Sequence, residues 1–193
     1  MGFALSPYVK DFYLIWDSDT IPLNKLSFLE NGKMVFTPKT EHHKAYFSTL
    51  KALIGYGKEV DYSFIAEHMI ISRTIMLELI QKINKANIPG ETWYDKIINA
   101  SPTDEPNGFS EFESYGTFCH RNYPEAFTLR ELRTFREGGK IFSRGVSRHT
   151  LYKLSKDYDT ISLESWSNPH KRLHRLRNNL EERIINLIHK YHL

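Results

Sequence analysis

Residues 13–23 read Tyr-Leu-Ile-Trp-Asp-Ser-Asp-Thr-Ile-Pro-Leu. Tyr13, Leu14, Ile15 and Trp16 suit a buried β-strand, which runs straight into Asp17-Ser18-Asp19 before a turn at Pro22. Open α/β sheets bind their ligands at the carboxyl ends of strands, and two carboxylates there are hard oxygen ligands for Mg²⁺ or Mn²⁺. If the strand continues, Asp17 and Asp19 point to the same side and both serve one ion. A metal held there would neutralise a diphosphate leaving group. The plainer reading is a strand followed by an acidic turn.

Outward from this stretch, hydrophobic periodicity and turn chemistry sketch the remaining elements. Residues 1–10 look like the end of a helix. Asn31-Gly32 within residues 27–36 is a strong hairpin signal. Tyr46, Phe47, Leu50 and Leu53 recur at helical spacing over residues 41–55, and Gly55 and Gly57 stop that helix. Residues 62–71 read as a buried strand with Glu67 and His68 as its strongly polar members. Ser72 caps a helix carrying Ile75, Leu79, Ile80 and Ile83. Helices follow near 91–99 and 109–121, with a further one at about 147–157. Residues 127–135 and 159–166 read as strands. A long helix over 169–192 bears a leucine and isoleucine stripe. This alternation argues for an α/β fold.

The YLIWDSDTIPL segment, then HHKAYF (42–47), SFIAEHMII (63–71) and SEFESYGTF (110–118), in this order, resemble a group of bacterial glycosyltransferases of the GT-A fold, of the DUF6492 type. The resemblance spans residues 1–166 and leaves the C-terminal basic amphipathic helix (167–193) outside it. It implies a mixed sheet flanked by helices. The family's uracil- and ribose-binding strands precede the acidic motif, so the chain reads as an N-terminally truncated version. It also implies a metal-dependent transfer from a nucleotide-diphosphate sugar, such as a UDP-sugar, to a glycan or lipid-linked acceptor in cell-surface polysaccharide synthesis. On this reading Asp19 ligates Mn²⁺ or Mg²⁺. Asp17 contacts the ribose or sugar and joins the metal site, with Ser18 between them. Glu67 and His68 line the donor pocket.

Other side chains are candidates beside plainer roles. Glu111 is a base for deprotonating the acceptor hydroxyl, whereas Glu113 suits a capping box with Ser110. Tyr115 and Trp93 stack on sugar or fill the core. His120, Arg121 and His149 are late diphosphate or metal contacts, or solvated charges. Arg144 and Arg148 flank Gly145 as a phosphate contact, and His42 and His43 precede a helix. The basic C-terminal helix either packs its stripe on the domain or lies on an anionic membrane surface.

Two rival functions belong beside the transferase. Haloacid-dehalogenase-type phosphohydrolases also open on a strand ending in Asp-x-Asp. They ask for Thr or Val two positions past the second Asp, where this chain has Ile21. A non-catalytic binding module, remnant of a longer enzyme, is the other.

The totals narrow the classes. The 193 residues are 40% hydrophobic and 25% charged, ordinary values for a globular chain with a sizeable core. A net charge of +3, without an RNA- or DNA-reading motif, gives no reason to expect nucleic acid. The single Cys119 excludes an internal disulfide and fits a reducing compartment. No apolar run nears the ~20 residues of a spanning helix, and the first residues lack a basic signal-peptide region. The expected location is the cytoplasm, extending to the inner face of the cell membrane.

Overall fold

A computed structural model describes residues 1–105, 107–142 and 146–164. Among them the chain is a mixed α/β protein with small sheets. In order these are β1 (Phe12–Trp16), β2 (Thr20–Pro22), β3 (Leu29–Glu30), β4 (Lys33–Phe36), α1 (Lys44–Ile54), β5 (His68–Ser72), α2 (Arg73–Asn84), α3 (Trp93–Ala100), α4 (Glu111–Asn122), β6 (Phe127–Leu129), β7 (Thr134–Phe135), α5 (Gly138–Phe142), α6 (Arg148–Leu154) and β8 (Thr160–Ser162). They divide into two compact units. One is Met1–Trp16 with Ser27–Glu131; the other is Asp17–Leu26 with the described residues from Leu132 onward.

The first unit holds two sheets. β1 and β5 pair antiparallel, from Phe12 opposite Ser72 to Trp16 opposite His68. β3, β4 and β6 form the other, with β3–β4 antiparallel and β4–β6 parallel. The β3–β4 hairpin turns where the sequence asks it to: Asn31 and Gly32 have φ of 52° and 77°, the paired positive values of a tight two-residue turn. The rings of Phe36, Phe64, Phe127 and Tyr115 pack beneath this sheet. Phe36 stacks on Phe127 at 4.9 Å and meets Phe64 edge-on at 5.9 Å. Each such pair adds about 0.5–1.5 kcal/mol beyond the area it buries.

α2 buries Ile75, Met76, Leu79, Ile80 and Ile83, the stripe its sequence period requires. α1 buries Leu50, Leu53 and Ile54 and ends at Gly55 in the left-handed conformation, φ 91°. α3 starts on a capping box between Thr92 and Asp95.

The second unit is smaller. β2, β8 and β7 form one sheet, antiparallel between β2 and β8 and parallel between β7 and β8. Pro22 sits in β2 at the sheet's edge, where its missing N–H is tolerated. Gly138 and Gly139 open α5 against β8. A Cβ at Gly139 would stand 2.0 Å from the Glu164 carbonyl oxygen, and one at Gly138 would stand 2.5 Å from that of Ser162.

Several expectations are corrected. The strand at 13–16 forms but is not buried: it lies in a two-stranded sheet, and Phe12 and Leu14 are exposed. It does not continue through the acidic residues. Thr20 N–H donates to the Asp17 carbonyl at 3.0 Å, so Asp17 to Thr20 is a β-turn and strand alternation does not orient the two carboxylates. The strand expected over 62–71 begins only at His68; Ser63 makes an isolated bridge with Lys39. Residues 127–135 are two strands of different sheets, not one. Residues 2–5 form a short 3-10 helix rather than the end of an α-helix. Ser72 stands at the start of α2 without a side-chain cap bond. The helix expected over 169–192 and Arg144 lie outside the described residues.

Candidate functional site

In the first unit, polar side chains gather where β4 and β6 end and β5 begins. Chain folding explains the convergence. β4 and β6 run parallel, so Phe36-Thr37 and Leu129-Arg130 finish side by side, and Arg130 N–H donates to the Phe36 carbonyl at 2.9 Å. His68 opens β5 opposite Trp16, the last residue of β1.

His68 is buried, and its Nε2 lies 3.0 Å from the Thr37 hydroxyl, itself buried. Its ring stacks on the Trp16 indole at 5.0 Å with 19° between planes, and Phe28 meets it edge-on at 5.0 Å. Its Nδ1 is buried with no hydrogen-bond partner among the described residues. Burial pulls the imidazole pKa down to about 4; Lys39 and Arg130 push the same way, and Glu67 opposes them. His68 is therefore neutral at physiological pH.

Glu67 precedes it, buried, and ion-pairs with Lys39 at 3.0 Å. Arg130 donates from Nη1 to Glu30 at 2.7 Å, and its guanidinium lies over the Phe28 ring at 5.8 Å. Sequence reading named Glu67 and His68 here but missed Trp16, Thr37, Lys39 and Arg130. No local motif marks them, because they come from three separate stretches, at 16, 37–39 and 130.

A pH dependence follows for His68. Its folded pKa is depressed, so between about 4 and the ordinary 6.5 the unfolded chain binds more protons. Stability from the neutral imidazole is complete above pH 6.5 and is lost as pH falls towards 4, on the order of 3 kcal/mol in all. Urea midpoints at pH 7.5 and 5 should differ more for the wild type than for His68→Phe. Equal pH dependence in the two proteins would remove this assignment.

The other predicted residues are dispersed. Asp17, Ser18 and Asp19 are exposed in the second unit, where the Asp19 carbonyl accepts from Leu163 N–H at 2.7 Å. Glu111, at the first turn of α4, ion-pairs with the Met1 ammonium, whose burial lowers its pKa to about 6. Ser110 does cap α4, accepting from Glu113 N–H at 3.2 Å, but the Glu113 carboxylate turns inward rather than completing a box. It accepts from the Ser63 hydroxyl and Phe64 N–H, each at 2.9 Å.

Tyr115 is a core residue. Its hydroxyl accepts from Ser72 N–H at 2.8 Å and donates to the Met34 sulfur at 3.3 Å. Trp93 is half-buried against the same core. Arg121 pairs with Glu59 at the surface and lies over Tyr56, while His149 and Arg148 are exposed. His42 and His43 are exposed and contact the rings of Phe47 and Tyr46.

Among the described residues, no three His, Cys, Asp or Glu side chains are grouped to hold a metal ion, and no helix is long and apolar enough to cross a membrane. No protein-family model matches this chain, and no curated protein matches it.

Proposed function

We propose that the chain is a metal-dependent glycosyltransferase of GT-A type, using a nucleotide-diphosphate sugar and a glycan or lipid-linked acceptor. One observation carries the reading: β1 ends at Trp16, and the next three residues are a solvent-exposed turn bearing Asp17 and Asp19. Oxygen donors of this kind fit Mn²⁺ or Mg²⁺. Such ions are commonly held by one or two carboxylates, with substrate phosphates and water completing the shell, so a third protein ligand is not required. A bound ion would offset charge on the departing nucleoside diphosphate. Asp19 is the metal ligand in this reading, and Asp17 shares the ion or contacts the ribose.

The test is calorimetric titration of UDP with and without Mn²⁺, on the wild type and on Asp19→Asn. Wild-type binding should require Mn²⁺, and the variant should lose it by tenfold or more. Equal binding by Asp19→Asn would end the metal assignment. A well-folded wild type that binds no UDP would favour the non-catalytic binding module instead.

A further inference from the structure

The Arg130 guanidinium is hydrogen-bonded on one side and unsatisfied on the other. Nη1 is taken by Glu30 at 2.7 Å, the plane lies over Phe28, and the backbone is tied to Phe36. Its Nε and Nη2 atoms are buried and have no hydrogen-bond partner among the described residues. These two N–H groups form the side-on edge of the guanidinium, two parallel donors spaced to receive both oxygens of a carboxylate or phosphate. Buried N–H groups in folded proteins are almost always satisfied, so a pair left open on one planar edge calls for an acceptor.

The nearby acids do not supply it. Glu30 is on the other nitrogen, and Glu67 is with Lys39 at 3.0 Å. The buried Nδ1 of His68, whose ring also meets Phe28, is a further polar atom without a hydrogen-bond partner among the described residues. We infer that Arg130 forms an oxyanion-binding site in the first unit, taking a carboxylate or phosphate group side-on through Nε and Nη2 without a metal ion. The side chain as a whole is 27% exposed, while the Nε and Nη2 atoms themselves are buried.

The site is independent of Asp17 and Asp19, and its test is run in EDTA. Inorganic phosphate and acetate are titrated separately into the full chain while the Arg130 Nε–H resonance is followed by NMR. Calorimetry is repeated on Arg130→Lys, which keeps the charge and loses the fork, and on Lys85→Gln, which removes an exposed charge elsewhere in the first unit. We expect a saturable shift of the Arg130 resonance, retained binding in Lys85→Gln, and a loss of tenfold or more in Arg130→Lys. Preference for phosphate or for acetate tells which group is the natural occupant. No shift with either anion, or unchanged affinity in Arg130→Lys, overturns the proposal. Should Arg130→Lys fail to fold, the wild-type resonance decides alone.

Discussion

Replacing Glu113 with alanine should destabilise the protein by about 2–5 kcal/mol, because it strands buried donors that only this carboxylate satisfies. Glu113 is fully buried in α4. Its Oε2 accepts from the Ser63 hydroxyl and from Phe64 N–H, and its Oε1 faces the Thr117 hydroxyl at 3.4 Å. Residues 62–67 are neither strand nor helix, so this carboxylate stands in for the backbone pairing that a regular element would supply. A buried unpaired donor costs about 1–3 kcal/mol, and at least two are created together. Glu113→Gln preserves the shape and one acceptor, and should cost about 1 kcal/mol. Urea unfolding followed by circular dichroism measures both. A loss below about 1 kcal/mol for the alanine variant would show that water or rearrangement satisfies the 63–64 backbone.

Gly116 gives the second large effect. It faces Phe64 so closely that a Cβ would stand 2.1 Å from the ring's Cγ and 2.5 Å from its Cβ. Both residues are buried, and Phe64 also touches Phe36, Phe127 and Tyr62, so the ring has little freedom to retreat. Overpacking of this kind costs about 1–3 kcal/mol, and this contact is closer than ordinary packing tolerates, so Gly116→Ala belongs at the upper end. Phe64→Ala alone should cost about 3–5 kcal/mol through the cavity it leaves. The double variant should cost less than the sum, since truncating the ring removes the clash with its Cγ and leaves only the one with the residue-64 Cβ. Strict additivity of the two losses would mean that helix and loop do not meet as described.

Where chemistry was local, the sequence was readable. Asn31-Gly32 turns the hairpin because positive φ at two successive residues selects such pairs, and Gly55 ends α1 for the same steric reason. The stripe on α2 and the Ser110 cap on α4 were likewise visible in spacing alone. Errors arose where tertiary context decides. Tyr13 to Trp16 look like a buried strand, yet burial depends on how many neighbours a strand acquires, and β1 pairs with β5 alone among the described residues. At Gly138-Gly139 the missing Cβ atoms let α5 sit directly on the β8 backbone, a fit that no local pattern announces. The Arg130 cluster was illegible because its members lie at positions 16, 28, 30, 37, 67–68 and 130, and only strand pairing brings them together. The acidic turn was found from sequence, but not its conformation: a turn and a continuing strand share the same three residues.

The lone thiol has a practical consequence. Cys119 is fully buried on α4, and burial pushes its pKa up to about 12. A thiol so protected is almost wholly un-ionised at neutral pH and meets no reagent while α4 stays packed. Its modification by a thiol-specific label therefore counts openings of the first unit, one molecule at a time. The chain needs no engineered cysteine for such a measurement, because sequence and fold together have already placed a single clock in its core.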